Sequence, residues 1–322
     1  MTEQLRPDGS LRHLLTLETL TRSQIERLLE RSQSFVRPLG EAAPRITMLT
    51  GMTVANLFTE PSTRTRVSFE LAAKRLGATV VNLEVQLSSR VKGESVLDTV
   101  YTLQSLHVDA FVIRDAQPGV PGLVAAHAAP HVSVLSGGEA HVSHPTQGLL
   151  DALTIYQRKR RFAGLAVAIV GDVRHSRVAR SAWHALSKLG VGELRLAAPQ
   201  ALMPERDEFG GCTRHTELAS ALRGADVVMM LRIQRERMGA ADLPEGDDYF
   251  AAWGLTREDS CTSSCTTVAP RRLAASSKLT RVRVEGSVNR LATVMPASAS
   301  LNGGRSPSGR TKLCERSSRR SI

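Results

Sequence analysis

Three hydroxyls and two arginines stand in five consecutive residues, Ser62-Thr63-Arg64-Thr65-Arg66. Pro61 precedes them, Val67, Leu71 and Ala72 follow at helical spacing, and Gly77 closes the run after Leu76. This pattern predicts a helix opened by Pro61 and Ser62, with Ser62 as its cap and Val67, Leu71 and Ala72 on its inner face. A helix N-terminus has free N–H groups and a partial positive charge, so an arginine there is unfavourable unless an anion joins it. Hydroxyls and guanidinium forks add directed donors suited to phosphate oxygens. The chemistry on offer is capture of a small, doubly charged anion. A capped surface helix with solvated arginines is the plain alternative. Against it, the apolar run MTVANLF (52–58) lies just upstream as a buried strand, and α/β proteins bind ligands where such strands end. The stretch is not a Walker loop, since no G-x-x-x-x-G-K-[ST] occurs.

The elements that must hold this stretch read as a parallel α/β series. After strand 52–58 and its helix come strands at 78–85, 108–114 and 131–136. A long helix, 145–160, carries Leu149, Leu150, Leu153 and Tyr156 on one side. A second series follows: strand 165–172, helix 176–190, strand 193–199, a short amphipathic helix, and strand 226–232. The expected fold is two doubly wound α/β domains with parallel sheets, joined by the long helix. The boundary falls near residue 150, giving domains 1–150 and 151–258. Gly171-Asp172 after the strand at 165–170 is one glycine, not a G-x-G-x-x-G fingerprint, and no dinucleotide site is read there.

At 322 residues and 42% hydrophobic content the chain has material for two cores, and no apolar run approaches a membrane span. The start MTEQLRPDGSLRHLL lacks the basic-then-apolar layout of a secretory signal, and four cysteines form no disulfide framework. A soluble, cytoplasmic protein is expected, without metal. The net charge of +11 suggests nucleic acid until its position is considered. Residues 259–322 hold 12 Lys+Arg and 3 Asp+Glu, net +9, which leaves +2 for the other 258 residues. The basicity therefore belongs to a tail that has 13 serines and no aromatic to interleave with bases. Nucleic-acid binding is rejected, and the tail is read as poorly ordered.

FTEPSTRTRVSFE (58–70) resembles the carbamoyl-phosphate site of the aspartate and ornithine carbamoyltransferase family. VKGESVLDT (91–99), HPTQGLLD (144–151), IVGDVRHSRVARS (169–181) and MLRIQRERM (230–238) resemble further family segments, in the family's order, within residues 10–258. Glu60-Pro61, Thr146 and LRIQRER (231–237) are similar to the aspartate branch. The resemblance implies transfer of the carbamoyl group of carbamoyl phosphate to L-aspartate, in pyrimidine biosynthesis, without a cofactor. It implies that Ser62, Thr63, Arg64, Thr65 and Arg114 bind the phosphate and neighbouring oxygens. His144 and Gln147 address the carbamoyl end, with Arg64, Thr65, Arg114 and His144 as the catalytic set. Arg177 and Arg232 clamp the aspartate carboxylates, with Gln234 beside them. Ser88 and Lys92 enter from a neighbouring subunit, Lys92 also reaching aspartate, which implies a homotrimer. A dihydroorotase or regulatory chain is a further partner that the resemblance admits.

The likeness stops near residue 258. The family continues with a strand, an HPGP- or HPLP-type turn that completes both substrate sites, and a terminal helix. No His-Pro pair follows residue 145 here. The abrupt rise in Ser, Arg and Cys is read as a reading-frame shift near residue 258, with loss of a sheet strand and an open aspartate site. The alternative function is therefore an inactive transcarbamoylase-like partner or a damaged chain.

Overall fold

Short aliphatic and β-branched runs alternate with helices along the chain, and from them it builds two sheets that are parallel throughout. The computed structural model describes residues 4–38, 40–42, 44, 46–84, 95–205, 208–234, 238, 246–255 and 266–268. All of these fall in one compact unit, residues 1–283.

The first sheet comprises β1 (Thr53–Phe58), β2 (Thr79–Glu84), β3 (Ala110–Asp115) and β4 (Ser133–Glu139), in the order β2-β1-β3-β4. Val54 pairs with Val80 on one side and Ala110 on the other. The crossovers are α2 (Thr63–Arg75), α3 (Val96–Ser105) and α4 (Val120–His127). Preceding the sheet, α1 (Arg22–Gln33) starts with a full capping box between Thr21 and Gln24. Apolar clusters cover both faces: Leu57, Phe111, Ile113 and Val124 on one, Val54, Phe58, Ala73 and Val112 on the other.

From the first sheet α5 (Pro145–Lys159) leads to β5 (Ala166–Val170), α6 (Arg177–Leu189), β6 (Glu193–Ala197), β7 (Cys212–His215), α7 (Leu218–Leu222), β8 (Val227–Met230), α8 (Gly246–Trp253) and β9 (Thr266–Val268). These strands order as β7-β6-β5-β8-β9. The α1 residues Ile25 and Leu29 pack in the same cluster as Leu153, Ile169, Leu186 and Leu231. At Gly148 an added Cβ would lie 2.7 Å from the Ser181 carbonyl oxygen, so only glycine lets α5 and α6 approach this closely.

Three sequence expectations need correction. Helix α2 starts at Thr63 with Ser62 as N-cap, which leaves Pro61 outside it, and it turns Phe69 and Ala73 inward. Val67 and Leu71 are instead 38% exposed each, since the helix rests on β1 and β2 by one narrow edge. On α5, Leu149 and Leu153 are buried but Leu150 and Tyr156 are exposed, because Gly148, Ala152 and Ile155 make the inner stripe. Beyond residue 258, Thr266–Val268 adds β9 in parallel beside β8, with Val227 opposite Thr266. A β-branched triplet suits that edge, whatever the composition around it. The rest of the 259–322 segment, and the expectation of poor order there, lie outside the described residues. No described helix is long and apolar enough to cross a membrane.

Candidate active site

In each sheet the chain winds away in opposite directions from two neighbouring strands, and at such a switch point the loops part to leave a crevice. In the first sheet the pair is β1 and β3; in the second it is β5 and β8. The sequence-expected residues fall after these strands: Ser62 to Thr65 after β1, Arg114 at the end of β3, Arg177 after β5, and Arg232 and Gln234 after β8.

The Thr59 N–H donates to the Arg114 carbonyl at 3.0 Å, tying the exit of β1 to the end of β3. Ser62 takes φ −156° and ψ 80°, and its hydroxyl makes no capping bond, contrary to expectation. The first N–H groups of α2 therefore keep their donor capacity, with no acidic residue in that turn. The side chains of Ser62, Thr63, Arg64 and Thr65 make no hydrogen bond to another described residue, and Arg64 is exposed.

Arg114 and Arg177 converge from separate sheets. Arg114 donates through Nη1 to the Gly137 carbonyl at 3.1 Å, and its Nη2 lies 3.0 Å from Glu60 Oε2. Arg177, the first residue of α6 and 5% exposed, donates through Nη1 to the Ala140 carbonyl at 3.0 Å. Its Nη2 meets the same Glu60 oxygen at 2.8 Å. One carboxylate oxygen thus meets both guanidiniums and ties the two sheets' loops together. Burial pushes the nearby Glu139 carboxyl above its usual range, against the Gly119 N–H that it accepts. Gly138, at φ +121°, lines the pair: an added Cβ would sit 2.9 Å from Arg114 Nη1 and 3.2 Å from Arg177 Nε.

His144 is the N-cap of α5 and buried, with its N–H donated to Ser181 Oγ at 2.8 Å. Burial first, then the Arg177 and Arg114 charges, push its pKa down to about 3. The ring is neutral over the physiological range. The Thr146 hydroxyl lies 3.4 Å from Nδ1, and when it donates there the ring proton sits on Nε2. Gln147 follows in the first turn of α5, its Nε2 donating to Asp151 Oδ1 at 2.9 Å.

The second switch point is organised by Asp172, which is fully buried. Its Oδ2 accepts the Gln234 N–H at 2.9 Å, while Oδ1 meets the His175 N–H at 3.2 Å and Nδ1 at 2.9 Å. Gln234 is buried, whereas Arg232 is exposed on the same loop and Arg174 is exposed after β5. The structure brings Arg114, His144 and Arg177 together, with Glu60 leading straight into the α2 start. Gln234 is held at Asp172, and Ser88 and Lys92 lie outside the described residues. Sequence reasoning missed Glu60 as a structural partner, along with Gly138, Asp172 and Ser181. Only Glu60, next to the arginine cluster, gave a signal, and a carboxylate beside an anion site reads as an unfavourable neighbour. Among the described residues no group of three or more His, Cys, Asp or Glu is placed to hold a metal ion.

Known proteins resemble this chain over most of its length. Residues 12–157 match the model of the aspartate/ornithine carbamoyltransferase carbamoyl-P binding domain. An aspartate transcarbamoylase from Trypanosoma cruzi, solved with N-(phosphonacetyl)-L-aspartic acid, is 30% identical over 72% of this chain and 79% of that one, with a TM-score of 0.64. The same enzyme solved with carbamoyl phosphate is 27% identical over 80% and 84%, with a TM-score of 0.67. The catalytic subunit of M. jannaschii aspartate transcarbamoylase is 29% identical over 80% and 85%, with a TM-score of 0.70. With its switch-point arginines, the matched first domain and relatives of this kind, the chain belongs to the aspartate/ornithine carbamoyltransferase family.

Proposed function

We propose that the chain transfers the carbamoyl group of carbamoyl phosphate to the amino group of L-aspartate, giving N-carbamoyl-L-aspartate and phosphate. The observation that carries this reading is the convergence of Arg114 and Arg177, from two switch points, on one carboxylate beside an uncapped, arginine-bearing helix start. In this reading residues 1–150 hold carbamoyl phosphate and residues 151–258 hold aspartate.

Carbamoyl phosphate is a mixed anhydride, already activated for acyl transfer. The deprotonated aspartate amine attacks the carbonyl carbon, the C–O bond to phosphorus breaks on the carbonyl side, and phosphate leaves with the electron pair. Ser62, Thr63, Arg64 and Thr65 at the α2 N-terminus hold the phosphate, and Arg64 stabilises its growing charge. Thr65, Arg114 and the neutral His144 donate to the carbonyl oxygen as it becomes an oxyanion. The neutral His144 ring supports its role as a hydrogen-bond donor, and its depressed pKa argues against one as the base that takes the amine proton. A leaving phosphate oxygen takes that proton. Arg177, Arg232 and Gln234 orient aspartate, with Ser88 and Lys92 supplied by a neighbour in a cytoplasmic homotrimer. Holding both substrates in line supplies much of the rate.

A second reading, an inactive transcarbamoylase-like partner, is favoured by one observation: no His-Pro turn follows residue 145 in the sequence. Assay of the purified chain separates the two. Carbamoyl aspartate formed from carbamoyl phosphate and L-aspartate, with none of the corresponding product from ornithine, supports the first. No transfer, whether or not carbamoyl phosphate binds, overturns the first and supports the second reading of an inactive partner or damaged chain.

A further inference from the structure

Asp151 is a buried carboxyl that the chemistry above leaves unused. It is 4% exposed on the inner stripe of α5, among Leu149, Ala152 and Ile155. Its Oδ1 accepts from Gln147 Nε2 at 2.9 Å, and its Oδ2 is buried with no partner among the described residues. Burial pushes its pKa up to about 7, against only the Gln147 hydrogen bond, so the position is unfavourable for a carboxylate. An apolar side chain of similar size would fill the same place without that cost.

What a carboxylate does there follows from the two ends of an amide. Gln147 presents a C=O acceptor or an NH2 donor, two shapes that differ little. An ionised carboxylate only accepts, so it must take the NH2 end and leave Oε1 as the outer end. Gln147 Oε1 has no hydrogen bond to another described residue, and its own N–H is engaged with the His144 carbonyl at 3.0 Å.

We propose that Asp151 is a positioning residue for specificity: it fixes the Gln147 amide with its carbonyl oxygen toward the ligand, so that the site selects an acyl phosphate that ends in NH2. This rests on the reading of Gln147 as the residue that meets the carbamoyl end. An acyl phosphate with methyl in place of NH2 has nearly the same shape but leaves that oxygen unpaired, and a site built to bond an N–H discriminates on that ground. The carboxyl acts on the ligand only through the amide.

The test compares affinities of the full chain for carbamoyl phosphate, acetyl phosphate and inorganic phosphate at about pH 8.5, above the carboxyl's titration. Asp151→Asn keeps size and reach but bonds either end of Gln147. We expect carbamoyl phosphate to weaken about five- to tenfold, the worth of one hydrogen bond, while the other two ligands stay within about twofold. Gln147→Met removes the same preference, and adding Asp151→Asn to it changes nothing further. An unchanged carbamoyl-to-acetyl ratio in Asp151→Asn, equal weakening of all three ligands, or an additive second loss overturns the inference. A wild-type chain that binds phosphates without preferring carbamoyl over acetyl does the same while leaving the anion site standing. A wild-type chain that binds no carbamoyl phosphate overturns the functional reading itself. Should Asp151→Asn not fold, the side-chain amide protons of Gln147 in the wild type, assigned by their loss in Gln147→Glu, report directly. Slow exchange with solvent is expected of a bond to Asp151, and solvent-like exchange overturns it.

Discussion

Two helices, α2 and α6, begin beside Glu60 with an arginine in the first turn, and they treat it in opposite ways. At α6, Ser176 caps the helix by accepting the Ala179 N–H at 3.1 Å, and Arg177 is buried against Glu60 and the Ala140 carbonyl. At α2, Ser62 makes no cap and Arg64 is exposed, without a hydrogen bond to another described residue. A cation at the positive end of a helix dipole needs compensation. The α6 arginine receives it from Glu60, in the loop that follows β1 of the other sheet. For the α2 arginine nothing in the described protein supplies it, so it waits for a ligand. The comparison separates a residue that holds the crevice together from one that serves what enters it.

Substituting each arginine tests that separation most strongly. Arg64→Ala should lower carbamoyl transfer by about a hundred- to a thousandfold, as loss of a transition-state donor does. The same change should leave thermal stability equal or slightly higher, because an uncompensated cation at a helix N-terminus is removed. Arg177→Ala should lower activity and also destabilise the fold by about 1.5–3 kcal/mol, through loss of a hydrogen-bonded charged group beside Glu60. Paired activity and urea-unfolding measurements would break the comparison if Arg64→Ala cost as much stability as Arg177→Ala.

The buried titrating groups sharpen the contrast through pH. For His144 the folded pKa lies near 3, below the ordinary 6.5, so the fold prefers the neutral ring. Its contribution to stability is whole above the unfolded value and is lost as pH falls from there toward the folded one, a change on the order of 4 kcal/mol. Asp151 runs the other way, since its folded pKa of about 7 is raised from 3.8. The fold prefers the neutral carboxyl, so stability falls as pH rises through that window and stays lowered above it, again on the order of 4 kcal/mol. Asp151→Asn should abolish that decline and be the more stable protein at about pH 8. Urea unfolding across pH would contradict the placement of Asp151 if the variant kept the wild-type slope.

The sequence made the sheets and the anion site legible because both rest on local patterns. Alternating apolar runs mark β1, β3, β5 and β8, and the arginine–hydroxyl cluster marks the start of α2. Faces were harder. Val67 and Leu71 share an apolar helical spacing with Phe69 and Ala73, and only the contact with β1 and β2 decides which pair turns inward. Glu60 was read as a branch marker because its meaning depends on Arg177, 117 positions away. Asp172 was set aside with Gly171, since its part in holding Gln234 exists only once β5 and β8 are neighbours. Ser88 and Lys92, read as arriving from another subunit, lie outside the described residues.

The smallest predicted effect is also the most direct reading of the two helix starts. Ser176 and Ser62 are both N-cap serines, and helix statistics alone would assign them the same value. Only Ser176 accepts a backbone N–H in its first turn, so Ser176→Ala should cost about 1 kcal/mol of stability. Ser62→Ala removes no capping bond and should change stability by no more than a few tenths, roughly the scatter of surface substitutions. On ligand binding the order reverses. Ser62→Ala should weaken inorganic phosphate several-fold, the worth of one hydroxyl donor, whereas Ser176→Ala should leave it nearly unchanged because its hydroxyl is occupied by the helix. Equal stability losses in the two variants would mean that Ser62 caps α2 after all, and that the donors at the α2 start are not held for an anion.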